Sequence, residues 1–422
     1  MPKKIRIKQD VATPKGIIDN FTDNMDSLRV FVRNVEPSAK AYDIKATRYI
    51  ETIKSDIKDI LSQNIPESKY DGSPRINKEK LEKATAGIIG VLKEYRRLPR
   101  ITTAQVEMLY KSSFVMLISF FDYLPYDIIH CYYKMYPERL PDKDLSIYLG
   151  ELKLCADIDE AIDFILGKKV DSIISEGLKK QKWFLQNTLH IDLKEKIINW
   201  DIINEAIERR NVIVHSNSMI DKKYLRSVNF LAVPEKRIAI KERGQIGVTP
   251  EYFKRAYDEI LIAGVVLVQS FWRKWMKDGV NEADKSLINY MVELLQREEW
   301  SIAERIGLFS KDIKASNKEN RLILNINYCQ SLKWQGKNAA LDAELNKFDE
   351  SKLKPKFMVA LSALKSDKDG FYKNIEKAVA RDEISQDDFD NWPLFRELRQ
   401  DVEYDERIKK AFSKKNKTVK NA

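Results

Sequence analysis

IINEAIERRNVIVH, residues 202–215, decides the fold class. At about 100° per residue, Ile202, Ile203, Ala206, Ile207, Ile213 and Val214 fall on one side of a helix. The spacing predicts a helix over residues 193–214. Arg210 projects from the middle of that apolar face, where a permanently charged guanidinium is costly unless it is paired or meets an anion. Asn211 and His215 lie beyond one margin of the face, one turn apart. Arg209 lies at the other margin. The residues admit two readings: Arg210 pairs with a buried carboxylate while His215 caps the helix end, or the group receives a phosphate.

Outward from this stretch, the chain reads as helix almost throughout. With only 14 Gly and 13 Pro in 422 residues, collagen-like, disordered and turn-rich all-β classes are disfavoured. Residues 25–33, 46–61 and 78–95 carry helical spacing, with a polar loop at 66–74. EMLYKSSFVMLISFFDYL, residues 107–124, predicts a strongly apolar helix that Pro125 kinks or stops, with helix continuing over 127–136. Further helices follow, with breaks near Gly150 and Gly167. After residue 215, SNSMIDKKYL reads as a polar loop. VNFLAVPEKRIAIKE, residues 228–242, holds two short β-prone runs around Pro234 and predicts a small hairpin. Thr249-Pro250-Glu251 supplies an N-cap and a first-turn proline for a helix reaching Met276.

Beyond residue 278 the spacing predicts consecutive amphipathic helices over 287–313, 319–348, 356–365 and 370–380. WPLFRELRQDVEY, residues 392–404, resembles the terminal motif of tetratricopeptide-like arrays, in which a Trp-Pro and an apolar pair fix the last turn. Such repeats usually bind protein or peptide, so a protein or ligand partner is expected at this region. Four regions are expected: an N-terminal helical region (1–98), a domain holding the motif (99–278), a helical-repeat-like region (279–405) and a basic disordered tail (406–422).

A net charge of +10 favours a polyanionic partner and equally suits plain solubility. Cys131, Cys155 and Cys329 are odd in number, far apart and form no CxxC, which suits a reducing cytoplasm better than a disulfide framework or zinc site. The longest apolar run, residues 260–272, falls short of the roughly 20 residues that span a bilayer, so no membrane partner is expected. The basic start lacks the apolar stretch of a signal peptide.

The pattern of Arg, a polar residue, three residues and His resembles the hallmark of HEPN domains; here it is Arg210-Asn211-Val212-Ile213-Val214-His215. The turn that follows, with Asp221 and Tyr224 as an Asp-x-x-Tyr segment, is similar to the family too. So is the order of an apolar helix, a motif helix, an insert and a long closing helix. The resemblance covers about residues 101–276. It implies a mostly α fold: a HEPN-like antiparallel helical bundle with a small β-hairpin insert, followed by a helical-repeat-like domain. It further implies a homodimeric endoribonuclease that needs no metal and no cofactor, of the abortive-infection or toxin type. Arg210, Asn211 and His215 would be catalytic, and Arg209, Lys222, Lys223 and Tyr224 would contact RNA. Some members of the family are non-catalytic scaffolds, so a binding module stands as the alternative. Arg209 also precedes His215 at a spacing the family permits, which leaves the choice of arginine open.

Other candidates carry less. His130 sits among aromatic residues and reads as core, and His190 near Asp192 reads as a cap. Gly244-Gln245-Ile246-Gly247 lacks the spacing and the Lys-Ser/Thr pair of a phosphate loop. QDDFD, residues 386–390, reads as a solvated helix start. Trp272 and Trp275 at one-turn spacing read as packing.

Overall fold

Scarce glycine and short polar loops leave long stretches in which helix is the only regular structure the chain can complete. The computed structural model describes residues 13–64, 78–95, 104–140, 146–228 and 244–420. Among them the regular structure is helical throughout, apart from one isolated antiparallel bridge between Met219 and Gln245. The first helices are α1 (Pro14–Asn64), α2 (Lys78–Tyr95), α3 (Gln105–Met135), α4 (Leu149–Leu152), α5 (Ile158–Ser175) and α6 (Leu178–Asn187). Next come α7 (Trp200–His215), α8 (Lys222–Ser227) and α9 (Pro250–Trp275). The C-terminal helices are α10 (Val280–Gln296), α11 (Trp300–Asp312), α12 (Lys318–Trp334), α13 (Asn338–Leu345), α14 (Pro355–Leu364), α15 (Lys368–Ala380), α16 (Gln386–Asn391) and α17 (Tyr404–Lys420).

Several boundaries differ from the sequence expectation, each for a local reason. The two short helices expected before residue 64 are one, α1, which runs through Pro37. Thr13 caps it: its side-chain oxygen accepts from the Gly16 amide at 3.1 Å, and Pro14 takes the first position. Likewise α3 continues through Pro125. The break expected near Gly167 falls at Gly177, whose φ of 85° turns the chain, while Gly167 lies inside α5. Helix 287–313 divides at Glu298 and helix 319–348 at Gly336, both at positive φ. SNSMIDKKYL is not all loop: the Asp221 carboxylate accepts from the Tyr224 amide at 2.7 Å and starts α8. The hairpin expected at 228–242 lies, apart from Val228, outside the described residues. The tail expected to be disordered from 406 is helical to Lys420, because Tyr404, Ile408 and Ala411, at i, i+4 and i+7, bury one face.

The chain divides into two compact units. One gathers Met1–Asp23, Phe121–Asn204 and Asp258–Ala422. Within it α10, α12 and α14 pack in succession, α11 lies on α12, and α15 lies on both α14 and α17. Its C-terminal core is aromatic: the Phe371 ring meets Phe395 edge-on at 5.1 Å, and Trp392 lies 4.9 Å from Phe395. Trp272 and Trp275 do pack, Trp275 edge-on against Tyr132 at 4.8 Å with its indole N–H donating to the Leu189 carbonyl. His130 is half-buried and stacked on Tyr126, and burial lowers its pKa. His190 is exposed at a φ of 50°, in the loop before α7.

The second unit gathers Asn24–Phe120 and Glu205–Tyr257. Here the Asp43 carboxylate of α1 accepts from the first amides of α3, Gln105 at 2.7 Å and Val106 at 2.9 Å, so a negative charge sits on the positive end of that helix. Tyr110 meets Phe253 edge-on, and Phe114 meets Tyr252. By length and composition α3 is apolar enough to cross a bilayer, more so than the 260–272 run that stood out in sequence. Half of its apolar window is buried, with Phe114, Leu117, Ile118 and Phe121 all but inaccessible, as in a core helix.

Two substitutions test this packing. A Cβ on Gly264 of α9 would sit 2.0 Å from the buried Phe21 ring, so Gly264→Ala should lower stability by about 1–3 kcal/mol, and Phe21→Ala should relieve part of that loss in a double-mutant cycle. Burial alone pushes the Asp127 carboxyl of α3 up to about 6. A raised native value favours the neutral acid, so the stabilisation is complete below the ordinary Asp value and is lost as pH rises through about 6. Asp127→Asn should therefore raise stability by about 1 kcal/mol at pH 7.5 and have no such effect near pH 4, followed by thermal denaturation at both pH values.

Candidate active site

The site is built on the last three turns of α7, within the second unit. The buried residues there are Glu205, Ala206, Arg209 and Val212. This is a helical i, i+1, i+4, i+7 face, but it is rotated from the one the sequence suggests. Ile207, Arg210, Asn211 and Ile213 are half-buried, and Val214 and His215 are exposed. Arg209, not Arg210, therefore occupies the buried face. A buried carboxylate was expected beside Arg210; the buried pair that the structure shows is Arg209 with Glu205, one turn earlier on the same helix.

Glu205 is fully buried, and its pairing is complete. The Arg209 Nε donates to Oε1 at 2.8 Å, the Tyr224 hydroxyl donates to the same oxygen at 2.6 Å, and the Tyr252 hydroxyl donates to Oε2. Arg209 is satisfied on its other side by the Gly247 carbonyl at 2.8 Å, and its guanidinium lies 3.6 Å over the Tyr252 ring. α7, α8, the 244–248 segment and α9 thus meet at one carboxylate. Burial, and then the charge of Glu205, raise the pKa of both tyrosines far above the usual phenol range, which keeps them as donors.

Two residues expected to contact RNA lie in this cluster. Arg209 is 4% exposed and Tyr224 is 1% exposed, both committed to Glu205, so neither presents its polar group to a ligand. Lys222 and Lys223 are exposed on the first turn of α8. Glu205 and Tyr252 escaped the sequence reading. The signal for Glu205 was present: a Glu four residues before an Arg is the favoured orientation of a helical ion pair, but such pairs are usually solvated. Tyr252 had no local signal, since only tertiary packing brings it to α7.

Past the cluster, α7 ends at His215. The chain reverses through Asn217 and Ser218, both at positive φ, while the Ser216 and Ser218 amides donate to the Val212 carbonyl. The Ile220 amide then donates to Gly244 and the Ile246 amide to Ser218, which ties the turn down. Beneath it Val212, Ile220, Tyr224, Val228 and Ile246 form a small apolar core. His215 makes no hydrogen bond among the described residues and is not the cap that the structural reading expected. Asn211 lies one turn before it on the same side. Arg210 is about 140° round the helix from His215, so one helix presents the two on different sides.

Among the described residues no group of three or more His, Cys, Asp or Glu is arranged to hold a metal. Comparison with family models, with curated proteins and with solved structures finds no match for this chain.

Removing Glu205 should leave the Arg209 charge buried and uncompensated. Glu205→Ala is expected to lower stability by about 3–5 kcal/mol in chemical denaturation. Glu205→Gln, which retains an acceptor, should lose less. Equal, small losses for the two would show that the carboxylate charge does not organise this end of α7.

Proposed function

We propose that the chain is an endoribonuclease of the HEPN type, acting without a metal. The observation that carries the reading is the disposition of the motif: His215 exposed at the end of α7, Asn211 one turn before it and Arg210 half-buried, on a helix whose rotation is set from below by a buried ion pair. In this reading the ribose 2′-oxygen attacks the adjacent phosphorus and the bond to the 5′-oxygen breaks. His215 takes the 2′-hydroxyl proton or delivers one to the leaving oxygen. Arg210 neutralises the charge that accumulates on the non-bridging oxygens. Asn211 orients the imidazole or the phosphate. The products carry a 2′,3′-cyclic phosphate and a 5′-hydroxyl.

Arg210 and His215 point to different sides of one helix, so the complete site takes a motif helix from each of two copies. Exposed Val214, at 50%, and Met219, at 38%, flank His215 and provide apolar surface that a second copy would cover. The finer architecture belongs to the same proposal: a HEPN-like bundle with a hairpin insert, joined to helical repeats through the succession of α10, α12 and α14. So do a cytoplasmic location and a role as a toxin or defence effector. Lys222 and Lys223 would hold the RNA backbone beside the site.

A non-catalytic binding module is the second reading, and one observation favours it: two of the four expected RNA contacts are buried in the Glu205 cluster. The readings separate on RNA incubated with the full chain in EDTA. Cleavage giving cyclic-phosphate ends, lowered at least 100-fold by His215→Ala and by Arg210→Ala with an unchanged circular-dichroism spectrum, is the expected result. RNA bound but left intact, or cleavage indifferent to His215→Ala, would sink the nuclease.

A further inference from the structure

A cavity of about 360 Å³ opens among α10, α12, α14 and α16, far along the chain from the motif. Its lining includes Asn327 of α12, which is 1% exposed. Both its amide nitrogen and its amide oxygen lack a hydrogen-bond partner among the described residues. A buried primary amide in that state carries a desolvation penalty on donor and acceptor alike. It is complementary to a group that accepts and donates side by side, and the peptide bond is such a group.

The rest of the lining is consistent with this. Ile323, Phe357 and Trp392 provide apolar wall. Glu383, Asp387 and Asp388 lie together on one side, and each accepts from neutral donors: the Lys356 backbone amide, the Asn391 side chain, and the Ser385 amide and hydroxyl. Among the described residues these carboxylates are hydrogen-bonded but form no salt bridge, although the Lys354 charge acts on Glu383 at longer range. The one cationic side chain of the lining, Lys356, is already paired with Glu319 outside it. A polyanion would meet three carboxylates here, whereas a lysine or arginine would be drawn to them.

We infer that this cavity docks an extended peptide segment of a protein partner, an apolar residue flanked by lysine or arginine. The apolar side chain enters against Phe357 and Trp392, a backbone peptide group pairs with the Asn327 amide, and the basic flank meets Glu383 and Asp387. The site is independent of the nuclease reading.

The test uses the full chain and fluorescein-labelled, capped dodecapeptides in which a central leucine is flanked by lysines, against a set with glutamates in place of the lysines. In fluorescence anisotropy the lysine set should bind at least tenfold more tightly than the glutamate set. Asn327→Leu should weaken that binding at least tenfold while the melting temperature stays level or rises, because an unsatisfied amide has been removed. Asp387→Asn, an exposed change that leaves the cavity floor intact, should weaken it several-fold and flatten its salt dependence. The inference is overturned if neither peptide set binds, if both bind equally, if Asn327→Leu binds as the parent does, or if that variant melts lower because the amide had an internal partner. Displacement of the lysine peptide by single-stranded RNA would overturn it as well.

Discussion

The ion pair between Glu205 and Arg209 is the interaction on which the motif end of α7 depends. Two opposite charges one turn apart could both face water, where such a pair contributes only a few tenths of a kcal/mol. Here both are buried. A buried ion pair is tolerated only when its remaining hydrogen-bonding capacity is met, and two phenols, a main-chain carbonyl and an aromatic face meet it. Because those partners come from α8, the 244–248 segment and α9, the pair fixes how α7 is rotated. Rotation of α7 in turn determines which of two adjacent arginines is inside and which side chains are left outside.

That division of labour between neighbours makes chemical sense. Arg209, tied on both its edges and stacked on a ring, is a rigid structural cation. Arg210, one residue on and 100° round the helix, is half-buried and retains a path to solvent. In the proposed nuclease reading Arg210 would stabilise the developing charge, and its neighbour, anchored in the core, would hold that turn of α7 in place. Similarly, the tied-down turn after His215 sets the imidazole at the end of α7 while leaving it in contact with water.

The C-terminal helices follow a different logic. Their core is aromatic and well filled around Phe371, Phe389 and Phe395. Among the buried polar side chains of these helices, Asn327 has neither end of its amide hydrogen-bonded to a described residue, and it lies beside a cavity rimmed with carboxylates. Apolar cores tolerate an unsatisfied amide poorly, and a leucine would fit the helix at least as well. A recognition surface would give such a residue a reason to be there, and the proposed capture of a basic peptide would share no chemistry with the motif helix.

Helical class, the capped start of α9 and the helix that carries Arg210, Asn211 and His215 were legible in the sequence alone, because they depend on spacing, on capping residues and on glycine and proline, all of which act locally. Which face of α7 is buried was not legible. Counting Ile202, Ile203, Ala206, Ile207, Ile213 and Val214 as the inner face assumes that charges point outward. A complementary carboxylate one turn away cancels that rule, and Val214 ends exposed while Arg209 ends inside. Pro37 and Pro125 did not end their helices, and the basic tail became helical, because packing supplied what propensity withheld. The roles of Tyr224 and Tyr252 as donors to one buried carboxylate depend on residues up to 47 apart in sequence. Only the tertiary structure decided them, since no local pattern records which distant hydroxyl will reach a charge that must not be left alone.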